Sequence, residues 1–415
     1  MRKLLVIALV CSVVGGAGVA LATNGDNLMG VGPVSRGMGG VGIAAPQDSI
    51  TAIFNNPAAL GACPCGARSE SIFGATIFDP TVTARIRLLD PMTGATAVDI
   101  EGESGGQAYI IPAVGVTMAI NDMWRMGVGA YGVSGLGTDY RDKGWDLDPS
   151  RPGAEGDLYT RLEIMKFAGM VACQVADSLA LGAALNGAYN NLDLEQGGSH
   201  DYSFGVQVGA LLNLGAVSIG ASYTTPQKAD HRNVFDLDFD GTQDDLELEA
   251  PATYGVGVAV TPTEKLLVEV DAKYLDWANA AGYEDFDWDS QWVFAIGAQV
   301  QATDKLAVRC GYNYGENPVK EHNGFDPSPT ATTMVQGKAV PTFGYEMLRI
   351  IGFPAIVESH ATVGVSYQVA EDMSLHLGYM HAFENTVSET SAFGAVTLES
   401  DLEEDSYSFS MAWAF

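Results

Sequence analysis

A two-residue alternation that runs to the last residue narrows what this chain can fold into more than any other feature. Tyr407, Phe409, Met411, Trp413 and Phe415 alternate with Ser406, Ser408, Ser410, Ala412 and Ala414. A strand sends successive side chains to opposite faces, so this segment has one bulky apolar face and one face of small residues. Leu266, Val268, Val270, Ala272 and Tyr274 oppose Leu267, Glu269, Asp271, Lys273 and Leu275 in the same way. The pattern predicts fourteen strands, over 67–79, 107–120, 123–135, 158–176, 178–193, 201–213, 216–225, 250–261, 264–277, 290–302, 304–315, 358–370, 372–384 and 404–415. Their connections alternate in length. Six are short, at Asn121-Asp122, Asp177, Leu214-Gly215, Pro262-Thr263, Thr303-Asp304 and Glu371-Asp372, and the seven between them are longer, up to 316–357.

Short turns at one end and long loops at the other describe an antiparallel barrel in an outer membrane. Lipid offers no hydrogen bonds, so every strand must pair and no edge is left open. An even strand number puts both termini on the short-turn, periplasmic side. Tyr189, Tyr223, Tyr254, Tyr274, Trp292, Tyr312, Tyr379 and Tyr407 fall near the long-loop ends of their strands. That is an amphipathic ring at the outer interface. A soluble sandwich of this length would need two or more domains and no such ring. The expected fold class is all-β, a 14-stranded antiparallel transmembrane barrel over 67–415, with apolar faces toward lipid and small faces around a bore.

Residues 1–22 read as a secretory signal: Arg2 and Lys3, an apolar run, then Ala20-Leu21-Ala22 for cleavage. Without Arg2 and Lys3 the chain keeps 19 basic against 51 acidic residues, a formal charge of −32. Nucleic acid, which requires a basic footprint, is excluded as a partner. No later segment reaches ~18 consecutive apolar residues, so no membrane-spanning helix is expected. Cys63 and Cys65 flank Pro64, too close for an easy mutual bridge, and no zinc spacing is present.

Between the signal and the first strand, 23–66 is an irregular segment destined for the bore. Seven Gly lie between Gly25 and Gly42, too many for a stable helix or strand there. The apolar run 50–54 stops at Asn56-Pro57, where Pro57 removes a donor and biases Asn56 toward extended backbone. The series Gly37-Met38-Gly39-Gly40-Val41-Gly42, Asp48-Ser49 and Asn56-Pro57-Ala58 resembles the N-terminal hatch of the long-chain fatty acid transporters of the bacterial outer membrane, the FadL type. The resemblance continues through the strand pattern to the last residue. It implies a hatch (23–66) plugging the lumen, with Asn56, Pro57 and Ala58 as its motif, lying against an inward kink in the third strand that opens a lateral gap. Here Gly132, Gly135 and Gly137 mark the expected bend, although Gly-rich strands also serve a crowded lumen.

Three further groups are candidates for chemistry. Glu269, Asp271, Lys273 and Arg309 face inward by alternation, either lining a path or pairing with each other and the hatch. Asp236, Asp238, Asp240 and Glu247 follow the spacing of a twelve-residue calcium loop, but strands flank them, and a solvated acidic loop fits as well. No other cofactor is expected. Such outer acidic loops would share divalent cations with lipopolysaccharide phosphates. Inward His376 would matter only to an enzyme, and no nucleophile elbow or metal-binding His pair accompanies it.

The expected function is passive uptake of hydrophobic molecules across a Gram-negative outer membrane, by hatch movement and lateral release through the wall. The resemblance implies a basic side chain for a fatty-acid carboxylate. The matching fifth strand, 188–195, has neither Arg nor Lys, so neutral hydrocarbons and aromatics stand beside fatty acids as cargo. An outer-membrane lipid-modifying enzyme and a general porin are the alternatives. The partners expected are a hydrophobic small molecule, outer-membrane lipid and lipopolysaccharide, and the barrel assembly machinery through Phe415, with the chain monomeric.

Overall fold

The computed structural model describes residues 24–61, 69–90, 92–106, 108–141, 143, 158–195, 197–238 and 240–415. The expected signal, Cys63 and Cys65 lie outside them. Fourteen strands form the wall: β1 (Glu70–Leu89), β2 (Tyr109–Ala119), β3 (Trp124–Leu136), β4 (Thr160–Ala176), β5 (Leu179–Leu194), β6 (Gly197–Asn213), β7 (Val217–Thr224), β8 (Thr253–Thr263), β9 (Leu266–Leu275), β10 (Gln291–Thr303), β11 (Leu306–Gly315), β12 (Ser359–Ala370), β13 (Met373–Thr390) and β14 (Val396–Ala414). Each pairs antiparallel with its sequence neighbours, and β14 closes on β1 from Glu70↔Ala414 to Leu88↔Val396. No helix among the described residues is long and apolar enough to cross a membrane.

The faces follow the alternation. Leu185, Phe204 and Leu377 stand outward at 72%, 77% and 57% exposure, whereas inward Ser406, Ser408 and Ser410 are buried. Large apolar groups that would be a liability in water become the lipid contact, at ~25 cal/mol per Å² of apolar surface removed from water. The ring is continuous over β7–β10, where Tyr223, Tyr254, Tyr274 and Trp292 lie 4.9, 6.3 and 5.1 Å apart in turn.

Several strands outrun their predicted ends. β1 continues to Leu89 and β13 to Thr390, and β14 starts at Val396 rather than 404. An extra strand, Thr96–Glu103, pairs with the upper half of β1. Above the ring the outward row turns polar (Thr81, Thr83, Arg85; Asp401, Glu403, Asp405), so the apolar signal stops although the pairing continues. The inward row stays apolar there: Val82, Ile86, Leu398 and Leu402 are buried. They face a lid built from 316–357, which holds a hairpin (Thr332–Val335 with Lys338–Pro341), a helix (Thr342–Met347) and a wide turn (Leu348–Gly352). A second outer hairpin pairs Gln227–Phe235 with Asp244–Ala250.

Inside the bore sit α1 (Gly32–Arg36), α2 (Ser49–Asn55) and a 3₁₀ turn (Pro57–Gly61). The Gly-rich stretch therefore does hold a helix, of five residues, where none was expected. At that length tertiary packing, not propensity, keeps it formed. Asp48 caps α2, its Oδ1 accepting from the Thr51 amide at 2.9 Å.

Candidate functional site

The hatch motif is bound to the wall by its own side chain. Asn56 Nδ2 donates to the carbonyls of Ile43 (2.8 Å) and Ala210 of β6 (3.2 Å), and its Oδ1 accepts from the Ala58 amide at 3.0 Å. The wall here must be glycine. A Cβ on Gly209 would lie 1.9 Å from Asn56 Oδ1, and one on Gly182 2.3 Å from the Ala58 nitrogen. The turn thus rests on β5 and β6 rather than beside the third strand's bend. Before it, Ile53 packs on Gly127 and Gly129 of β3 and Phe54 on Tyr131, and after it Leu60 reaches Gly127.

The inward charges of β9 hold the hatch as well. Asp271 Oδ2 accepts from the amides of Gly42 (2.9 Å) and Ile43 (3.1 Å), and Glu269 Oε1 from those of Ala44 (2.7 Å) and Ala45 (3.0 Å). Four consecutive donors that would otherwise be buried without acceptors are satisfied by two carboxylates two residues apart. Leaving one such donor unmet costs about 1–3 kcal/mol. Lys273 Nζ donates to Asn55 Oδ1 at 3.0 Å. Arg309 lies elsewhere, its Nη1 donating to Ser366 Oγ at 2.5 Å, with His376 Nδ1 also 2.5 Å from that oxygen. Arg36 went unremarked in the sequence. It is buried and donates to Ser406 Oγ at 2.6 Å, with the buried carboxylate of Glu404 nearby. The signal was Glu404 itself, a charge at the head of an inward row that from Ser406 to Ala414 is serine and alanine.

β3 is where the wall departs from regularity. It pairs with β2 only up to Tyr131↔Ala113, while β2 continues along β1 to Tyr109↔Phe78. Its register on β4 shifts between Gly132 and Ser134, so Val133 is the bulged residue and Gly132 its neighbour. The freed edge of β3 is taken by the start of the hatch: Leu28 N donates to Val133 O (2.9 Å) and Gly135 N to Asp26 O (3.1 Å). Gly137 lies beyond, where a Cβ would approach Thr160 O to 2.2 Å. Between the upper parts of β2 and β3 there is no strand pairing. Ile111 fills the space against Gly132, its Cγ2 2.6 Å and its Cβ 3.9 Å from the position of a Cβ there.

Cavities lie on both sides of this bend. The outer one, about 40 Å³, is lined by Leu136, Leu162, Leu192, Trp288, Leu348 and Phe353 among others and is almost wholly apolar. The inner one, about 90 Å³, lies between the hatch and β3–β9 and presents Phe54, Tyr131, Lys166, Asn186, Gln207 and Lys273. The outer cavity exceeds the room a water molecule needs but would admit a larger guest only if the lid gave way. Asn24, Asn27 and Leu28 line the inner cavity, and Asp26 between them meets Tyr283, which lines the outer one.

The lid is pinned by a buried ion cluster. Arg349 Nη1 meets Glu346 (2.5 Å) and Glu389 (2.9 Å), and its Nη2 donates to the Lys320 carbonyl at 2.5 Å. His322 bridges Glu346 (3.0 Å) and Asp287 (2.9 Å), and the Glu346 carboxylate raises its pKa above the ordinary histidine value. A histidine raised in the folded state stabilises fully below its unfolded value and loses that stabilisation as pH rises through the higher folded value. Hydrogen exchange of 320–357 is therefore expected to quicken above the ordinary histidine range, and His322→Gln to flatten that response. Arg349→Met, which strands two buried carboxylates, is expected to loosen the lid by about 3–5 kcal/mol in the same measurement.

The acidic loop is assembled differently from the calcium spacing. Oxygens of Asp236 and Asp238 gather with Asp244, within 4.8 Å of one another. Lys338 Nζ stands 2.5 Å from Asp244 and 3.6 Å from Asp238. Asp240 binds the Thr242 hydroxyl at 2.6 Å, and Glu247 pairs with Lys228.

Comparison with known proteins accords with this geometry. Residues 8–242 match the family model for outer membrane protein transport protein (OMPP1/FadL/TodX). Among solved structures, the Pseudomonas putida toluene transporter TodX aligns over 93% of this chain and 99% of its own, at 17% identity and a TM-score of 0.66. A Pseudomonas aeruginosa FadL homologue aligns over 96% and 100%, at 16% identity and 0.65, and the CymD monoaromatic hydrocarbon channel over 95% and 99%, at 16% and 0.58. No curated protein matches the chain. A plugged barrel of fourteen strands and a family match over more than half its length place the chain in the OMPP1/FadL/TodX family of outer-membrane transport proteins.

Proposed function

We propose that the protein carries small hydrophobic molecules passively from the outer surface into the outer membrane, along the side of a hatch whose Asn56 turn stays bolted to the wall while its first residues, 24–28, give way. The observation that carries this reading is the unpaired stretch of wall between the upper parts of β2 and β3, bordered by apolar residues on the inside. Apolar molecules are slowed by the polar lipopolysaccharide layer, and a dry path spares them that barrier. Cargo enters under the lid against Leu348 and Phe353, passes segment 24–28 and leaves sideways past Ile111 and Val133. The names of the toluene and monoaromatic hydrocarbon channels support neutral aromatic cargo.

Hydrophobic carboxylates belong to the same reading. The fifth strand has no basic residue, but Lys166 of β4 faces the inner cavity and has no carboxylate partner among the described residues. Lys166→Met is expected to slow entry of a long-chain fatty acid about tenfold, the effect of one lost charge-assisted contact of roughly 1.5 kcal/mol, and to leave a neutral aromatic unchanged. The function is tested in outer-membrane vesicles containing the protein. Entry of N-phenyl-1-naphthylamine above that of vesicles lacking it, without ionic conductance in planar bilayers, is the expected result. Steady conductance would mark a porin. We further infer that the chain works as a monomer and that terminal Phe415, exposed beside the periplasmic end of β1, addresses it to the assembly machinery.

A further inference from the structure

We propose that Asp26 and Tyr283 are positioning residues that hold segment 24–28 closed between the two cavities, and that the charge on Asp26 sets how readily the segment opens; this rests on the transport reading above. The segment lines the cavity of Lys166 and Lys273 with Asn24, Asn27 and Leu28, and through Asp26 it meets Tyr283, which lines the apolar cavity. Besides its contacts with β3, three features hold it. The Tyr283 hydroxyl donates to Asp26 Oδ2, Trp277 packs on Gly25, and Gly25 turns with φ +64°. A Cβ on Gly25 would come within 2.9 Å of the indole, so the segment and the aromatic cluster are fitted to each other.

Asp26 is fully buried, and among the described residues no cation balances it. The groups facing it are the Tyr283 phenol from the outer loop and the Ser134 hydroxyl from β3, with no charged side chain acting on it among the described residues. Burial pushes its carboxyl up to about 6. An opened segment returns the carboxyl to water and to its ordinary value. Closure is therefore unpenalised at acid pH, where the group is neutral in both states, and is penalised progressively as pH rises toward 6. Neutral pH favours opening, and acid favours closure.

The two residues then have opposite effects, which a merely structural role would not give. Asp26→Asn removes the buried charge and favours closure. Tyr283→Phe removes the one phenol that stabilises that charge and favours opening. The test is hydrogen exchange of the 24–30 peptide in the full-length protein in detergent, corrected for intrinsic rate, at pH 4.5 and 6.5. Protection in the wild type is expected to fall about tenfold between the two, the scale of a shift exceeding one pKa unit. Asp26→Asn should show no fall, and Tyr283→Phe less protection than wild type at pH 6.5. Entry of the naphthylamine probe into vesicles should follow in the same order. Equal protection at both pH values, or a shift of both variants in one direction, would overturn the proposal. Exchange as expected, with no protein-dependent entry of the probe, would instead overturn the transport reading.

Discussion

Gly209→Leu is expected to turn a closed barrel into a conducting pore. The new Cβ would stand 1.9 Å from Asn56 Oδ1, a separation no relaxation of side chains relieves, because Asn56 is fixed by three hydrogen bonds and leads into Pro57. Overpacking of this kind costs about 1–3 kcal/mol where the structure can yield. The barrel cannot yield without breaking strand pairing, so the hatch turn must lift. A lifted hatch leaves a bore lined by serine, alanine, asparagine and glutamine, which fills with water. Planar bilayers should show steady current steps, against near silence for the wild type. Gly169→Leu is the matched control: it lies on β4, and a Cβ there meets nothing within 4 Å. It should leave the barrel silent.

The second large effect is expected from removing both carboxylates of β9. With Glu269→Ala and Asp271→Ala combined, the amides of Gly42, Ile43, Ala44 and Ala45 lose their acceptors together. At about 1–3 kcal/mol for each unmet donor, the closed arrangement loses on the order of 4–12 kcal/mol. Relief of repulsion between the two neighbouring acids offsets part of that. The hatch segment should then exchange its amide hydrogens at least a hundredfold faster, while the barrel strands remain protected. Glu269→Gln with Asp271→Asn keeps two carbonyl acceptors and should have a much smaller effect. Comparable loosening by both pairs would show that charge, not hydrogen bonding, secures the hatch.

The parts of this structure that were legible in the sequence are those where one face meets lipid. There each strand must be apolar on alternate residues, and the count and order of the wall strands follow. Legibility fails where that demand ends. Above the tyrosine ring β1 and β14 keep pairing, but Arg85, Asp401 and Glu403 replace the apolar row, so their upper halves were missed. The lid, the outer hairpins and segment 24–28 are built from loop-like sequence whose order comes from packing. Glycine spacing points to a bend among Gly132, Gly135 and Gly137, and the bulge falls inside that span, on Val133. Glycine marks where a chain can bend, but the loss of β2 as partner decides where it does. Alternation offers pairing with the hatch as one reading of the inward charges, but which hatch amides Glu269 and Asp271 take requires knowing what lies opposite. Lys166 lies on β4, one strand before 188–195, and only the folded wall brings it to the cavity that the fifth strand lines.

Cargo that leaves sideways between β2 and β3 has to be stopped by a reversible lock across that gap. A Cβ at Gly132 lies 3.9 Å from that of Ile111, within the span of a disulfide. The pair Ile111→Cys and Gly132→Cys, in a background freed of other cysteines, stitches the gap when oxidised and releases it when reduced. Entry of a hydrophobic probe into outer-membrane vesicles should fall to the level of vesicles lacking the protein on oxidation and recover on reduction. Undiminished entry with the disulfide fully formed would contradict lateral exit and place the path through the hatch instead.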